Sequence, residues 1–277
     1  MKKDSYFDYY DGKEETNNAF RIGASQVSKF FDSTSEWYRE KLLGEEGFQG
    51  NTASTLGTIV HAGIEMFVLE GSVDHNAIDS YIRQLKDPEI DFYHIKEQYP
   101  TMLDTILPYV KQNMPDEVEK FVFHEILPGI GAGGSIDAIN YFNKGKNAYL
   151  RDWKTTAMKS LPSKFSRAYW FQQMTYAWVL KQLGIEVNYL ELVYISTSDM
   201  NRVSEKTGKA LKSYPSVYSV VREEVTEQGL ELIGSCLKLI AESVQTWNNN
   251  EELRYLLAQD YRLKIKPPAK LFIEEGV

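Results

Sequence analysis

Apolar residues recur with a helical period through the first part of the chain. Over residues 52–69, Leu56, Ile59, Val60, Gly63, Ile64 and Phe67 fall at offsets 0, 3, 4, 7, 8 and 11, a stripe along one side of a helix. The spacing predicts another helix around 25–43 and shorter ones near 77–85 and 102–110. From residue 118 the period shortens to two. Residues 118–127, 135–142 and 148–155 read as three successive strands, with Asn143, Gly145 and Asn147 turning the chain between the second and third. A helix at about 167–183 then turns Phe171, Met174, Ala177, Trp178 and Leu180 toward a core, and a strand at 187–196 follows it. Residues 197–214 are polar and read as a loop. Beyond them come a strand near 217–225, a helix near 228–247 and a tail bearing Lys264, Lys266 and Lys270.

No internal repeat, low-complexity tract or Gly/Ser-rich linker interrupts this order, so the expectation is a single domain over 1–277. Its parts are a mainly helical 1–117, a core at 118–196, and a loop, strand and helix at 197–277.

Composition narrows the chemistry. With 277 residues, 43% hydrophobic and 25% charged, the chain is globular in character rather than disordered. No apolar run approaches the roughly eighteen residues a bilayer span needs, and the start, MKKDSYFDYYDGKEE, has no apolar signal core. A soluble, cytoplasmic protein with no membrane partner is expected. One cysteine, Cys236, excludes an internal disulfide and any site in which several thiolates hold zinc or an iron–sulfur cluster. A bound metal would therefore have oxygen and imidazole ligands, a set suited to magnesium or manganese. The net charge of −8 argues against a protein that coats nucleic acid non-specifically. It leaves room for one whose carboxylates gather at one point while a local basic strip meets phosphates.

The strands carry a candidate site. Gly134-Ser135-Ile136-Asp137 lies on one strand and Arg151-Asp152-Trp153-Lys154 on the next. Side chains two apart share a face, so Asp152 and Lys154 point the same way, in the row of Ala148 and Leu150. An Asp-x-Lys triplet alone also reads as a solvated strand end with a surface ion pair, and Asp11-Gly12-Lys13 is a second example in this chain. The setting favours a site: Tyr149 and Leu150 are strand-forming, and Asp137 lies 15 residues upstream on the strand a hairpin would pair. Gly57, His61 and Glu65 form a column away from the apolar stripe of their helix, available to a site or to solvent as a surface pair. Gln172 and Tyr176, four apart, put two hydrogen-bonding groups on one helix face, where rim residues are also common. Lys159, Lys164 and Arg167 make a short basic stretch that suits DNA phosphates or a solvated loop.

In this order GTIVHAGIE, GSID, RDWKT and QQMTY resemble the RecB-type branch of the PD-(D/E)XK nucleases, which includes CRISPR-associated and phage recombination exonucleases. The match covers residues 54–196. The resemblance implies an α/β fold with a restriction-endonuclease-like core, a mixed central sheet flanked by helices, and helical N-terminal decoration. It implies a metal-dependent DNA nuclease, an exonuclease before an endonuclease, acting in DNA recombination, repair or phage DNA processing. Its metal, Mg2+ or Mn2+, would be held by His61, Asp137, Asp152 and the backbone carbonyl of Trp153, with Lys154 beside the attacking water or the phosphate. Gln172 and Tyr176 would support this site, and Glu65 and Glu125 are further acidic candidates. DNA is the implied partner, and a homo-oligomer, a single-strand-annealing protein or a helicase fits the same branch. Any motor is another polypeptide, because no phosphate-binding G-x-x-x-x-G-K-[ST] loop occurs here. The alternatives are a catalytically inactive DNA-binding or inhibitory protein on the same scaffold, and a site-specific endonuclease.

Overall fold

The computed structural model describes residues 5–7, 12–45, 50–157, 159–200 and 207–258. The basic tail and Asp11 lie outside the described residues. Strand β1 (Phe20–Gly23) leads through a 3₁₀ turn into helices α1 (Val27–Asp32) and α2 (Thr34–Leu42). Helices α3 (Thr52–Glu70), α4 (His75–Gln84) and α5 (Phe92–Gln112) follow. Then come strands β2 (Glu117–Leu127), β3 (Ile130–Phe142) and β4 (Asn147–Thr156), helix α6 (Arg167–Gln182) and strands β5 (Glu186–Ser196) and β6 (Tyr218–Glu224). Helices α7 (Glu227–Asn248) and α8 (Glu251–Ala258) end the described chain.

The strands form one mixed sheet in the order β1-β3-β4-β5-β6, with β2 also paired to β3. β3–β4 is the expected hairpin, turned by Asn143, Lys144 and Gly145, all with positive φ. β4 and β5 run parallel across the crossover helix α6. One apolar cluster joins α1, α2, α6 and α7 to Leu150, Leu190 and Leu192. A second joins α3, α4 and α5 to Ala138, Trp153 and Val193 on the sheet's other side. The helices thus cover the two faces of a central sheet, as a restriction-endonuclease-like core requires. By length and apolarity α3 passes for a membrane span, but half of it is buried in the protein, where it packs with α5 and Trp153.

Four elements differ from the sequence pattern, among them α8, which stands where only a tail was expected. The predicted helix at 25–43 is broken at Ser33, whose φ of −158° is extended, and α2 begins after it. The short helix expected at 102–110 is the end of α5, which runs through Pro100 and Pro108. Each proline removes a helical hydrogen bond at a cost of about 3 kcal/mol. The buried face of Ile95, Tyr99, Met102, Leu103, Ile106 and Val110, packed with α3, offsets that cost. Strand β1 was not foreseen, because four residues paired in parallel to a distant strand leave no periodic signal.

Candidate active site

The site begins with a fork in the sheet. β2 covers one edge of β3 from Ile130 to Ile139, so β1 and β4 must share the other. β1 pairs with Ile130–Gly133 and β4 with Ala138–Phe142, which leaves residues 134–137 between them. Beyond Arg151, β4 keeps its pairing with β5 alone. Asp137 stands in this fork, and its Oδ2 accepts the Trp153 N–H at 2.9 Å in place of a backbone ladder bond.

His61 arrives from α3 because of a glycine one turn earlier. A Cβ at Gly57 would lie 3.2 Å from Thr155 Oγ1, so glycine lets the helix ride close on β4. His61 Nε2 then meets the Trp153 carbonyl at 2.7 Å, and Nδ1 faces Asp137 Oδ2 at 3.4 Å. A carbonyl only accepts, so Nε2 carries the hydrogen; Nδ1 then faces the carboxylate either as the N–H of an imidazolium or, in the neutral ring, with a lone pair. Two such electron-rich atoms repel unless a proton or cation lies between them.

A residue the motifs did not single out completes this cluster. The pairs Val118↔Ala138 and Lys120↔Ile136 set Glu119 opposite Asp137. Atoms of His61, Glu119 and Asp137 able to hold a cation all lie within 4.8 Å of one another. Oxygens and an imidazole at that spacing fit a hard divalent cation such as Mg2+ or Mn2+. Counting outward from Leu127↔Ile130 at the Pro128-Gly129 turn would set Glu119 opposite Ala138; the register shift between Glu125 and Leu127 moves it opposite Asp137, so the turn alone does not reveal it.

Asp152 and Lys154 point to the same side of β4, as the strand period requires. Asp152 is 1% exposed; its Oδ1 accepts from Gln172 Nε2 at 3.3 Å, and Lys154 Nζ lies 2.7 Å from its Oδ2. At that distance the ammonium and Oδ2 form a charge-assisted pair within the protein. Burial lifts the Asp152 carboxyl to about 6, Lys154 opposes the rise and Asp137 adds to it. Burial alone would lower the Lys154 ammonium, but the carboxylates of Asp152 and Asp137 outweigh it and hold it above its usual range. Its Nζ also lies 4.9 Å from the centre of the Tyr169 ring.

Tyr176 is buried against β3, where a Cβ at Gly134 would lie 3.1 Å from its hydroxyl; glycine there makes the room. Burial first, then Asp137 and Asp152, raise its pKa, so the hydroxyl stays protonated. Gln172 thus donates to Asp152, and the protonated Tyr176 hydroxyl stands beside Gln172 and the two acids.

Two cavities meet at His61 and Glu119. One, of about 490 Å³, is lined by Glu65, Lys154, Thr155 and Tyr169 as well. The other, of about 430 Å³, adds Arg21, Lys41, Ser135, Asp137 and Tyr176. Burial and then the nearby Arg21 lower the pKa of Lys41. Glu65 is buried rather than open, yet it lies on the first cavity's wall.

Other expected residues lie elsewhere. Glu125 is at the far end of β2, about 20 Å along the strand, where its Oε1 accepts the Gly129 N–H and holds the turn. It takes no part in the cluster because hairpin register, not nearness in sequence, decides which acid meets Asp137. Lys159 pairs with Asp199 at 3.6 Å in a separate cavity, and Arg167 binds Asp32 at 3.0 Å, joining α6 to α1. Lys164 is exposed and lines neither cavity. Among the described residues the cations in these two cavities' walls are Arg21, Lys41 and Lys154, apart from any charge on His61.

A forked mixed sheet with acids and a lysine at its opening is the plan of a nuclease. The sequence profile of the PD-(D/E)XK nuclease superfamily matches residues 21–255, and the chain belongs to that superfamily. A candidate exonuclease from Eubacterium rectale has a similar fold, with a TM-score of 0.52, 14% identity and 100% of each chain covered. The alkaline exonuclease LHK-Exo from Laribacter hongkongensis aligns with a TM-score of 0.37 and 12% identity over 87% of this chain and 99% of its own. A phage related exonuclease from Haemophilus somnus 129PT gives 0.35 and 10% over 84% and 98%. No curated protein sequence matches the chain.

Proposed function

We propose that this protein is a metal-dependent deoxyribonuclease that hydrolyses phosphodiester bonds at the fork between β3 and β4, working inward from DNA ends. The observation that carries the reading is the convergence of His61, Asp137 and Lys154 from three elements on one opening, with Asp152 buried directly behind Lys154. Asp137, Asp152 and His61 would hold the cation, with the Trp153 carbonyl beside them. A divalent cation there supplies Lewis acidity toward the phosphoryl oxygen and makes hydroxide available near neutral pH.

The chain's own groups do the rest. Lys154, kept protonated by the two aspartates, orients the attacking water or meets charge gathering on the phosphate as a compact point charge. Gln172 holds Asp152 through Oδ1, and the neutral Tyr176 hydroxyl packs beside Gln172 and the acids. Arg21 and Lys41, in the wall beside Asp137, meet neighbouring phosphates. Exonuclease action, and a place in recombination, repair or phage DNA processing, extend the motif resemblance.

The test is incubation of end-labelled linear DNA and circular DNA with Mg2+, Mn2+ or chelator. Metal-dependent release of terminal nucleotides from linear DNA is expected. Nicking of circles at comparable rates would replace the exonuclease with an endonuclease, and no cleavage of either would refute the enzyme.

A further inference from the structure

We propose that Glu119 is a further full ligand of the cation, reaching it from the β2 side of the fork beside Nδ1 of His61 and Asp137. The inference rests on the metal-dependent reading above and adds one ligand to the set named there.

The imidazole gives the first argument. A metal-bound histidine usually donates its other ring N–H to a carbonyl or carboxylate, which fixes the tautomer and aims the lone pair. His61 is arranged in this way: Nε2–H goes to the Trp153 carbonyl at 2.7 Å, and Nδ1 is turned to Asp137. The Trp153 carbonyl then serves first as the group that orients His61.

The hairpin gives the second. Like charges directly opposite one another on antiparallel strands are destabilising, and the register sets Glu119 against Asp137 with no shift between Glu117 and Glu125. Glu119 lies with His61 and Asp137 and borders both cavities. Its φ of 48° is one glutamate seldom adopts, so this acid is kept at a backbone position better suited to glycine or asparagine.

The test is Mn2+ binding by the full chain without DNA, read by titration calorimetry and electron paramagnetic resonance, with melting in chelator as the fold control. Glu119→Gln is expected to weaken Mn2+ by at least about tenfold, the scale seen for groups that support a metal centre. Melting in chelator is expected to be unchanged. Glu119→Asn, which tolerates the left-handed backbone, should lose the same affinity, while Glu125→Gln should keep it. Wild-type affinity in both Glu119 variants, beside a clear loss in Asp137→Asn, would overturn the assignment of Glu119 alone. Unchanged affinity in Asp137→Asn would remove the metal reading on which it rests.

Discussion

Arg151 and Asp152 are neighbours on one strand, each about 1% exposed, and they face opposite sides of the sheet. Arg151 is enclosed by partners. It donates to Glu191 at 2.8 Å and to the Asn113 carbonyl at 2.8 Å, among the rings of Tyr109, Tyr149 and Trp153. Asp152 has one long hydrogen bond from Gln172 and an ion pair at 2.7 Å with Lys154, a lysine in the cavity wall. Burial of charge is common to both and marks neither as functional. A buried charge whose partners are all structural fixes the fold, while one paired with a lysine of the cavity wall is placed for chemistry.

The contrast separates most widely in substitutions of the two residues. Asp152→Ala should lower DNA cleavage by about 1000-fold or more, the scale for losing a member of a catalytic set, with folding intact by circular dichroism. Cleavage at the wild-type rate would make Asp152 a second Arg151. Arg151→Met should do the opposite. It leaves Glu191 buried with Arg222 alone and should cost about 3–5 kcal/mol in urea unfolding, with the activity of the folded fraction kept.

A smaller effect follows from pH. The Asp152 carboxyl is raised from 3.8 to about 6 in the folded protein, so the folded state holds its proton more tightly than the unfolded chain. That contribution is complete below the unfolded value and is lost as pH rises through about 6. Metal-free protein should therefore lose up to about 3 kcal/mol from this group between pH 4 and 8, at about 1.4 kcal/mol per unit. Asp152→Asn should flatten that part of the stability profile. Metal binding needs the carboxylate, so Mn2+ affinity should fall as pH drops below about 6. The smallest expected change is in Gln172→Ala, about tenfold in kcat. The acid limb of its pH profile should move if Gln172 acts by holding Asp152, and stay put if it is only a packing residue.

The two regions were not equally legible. Period-two alternation and the Asn143–Gly145 turn carry the β3–β4 hairpin, and the face shared by Asp152 and Lys154 follows from strand geometry alone. His61 and Gln172 were readable from helical spacing because each sits one turn from a motif partner. Glu119 was hidden, because a register shift between Glu125 and Leu127 separates it from the Pro128-Gly129 turn, and Glu125 attracted attention by lying closer in sequence to Asp137. Arg21 and Lys41 were hidden for a different reason. They reach the cavity through β1 and α2, whose positions are set by long-range pairing and packing rather than by local pattern.

The central claim is that the fork at Asp137 is where the cation sits. Anomalous diffraction at the manganese edge, from crystals grown with Mn2+, measures that directly. The account predicts a peak about 2 Å from a carboxylate oxygen of Asp137. A well-occupied peak elsewhere, or none at a Mn2+ concentration that supports cleavage, would contradict it.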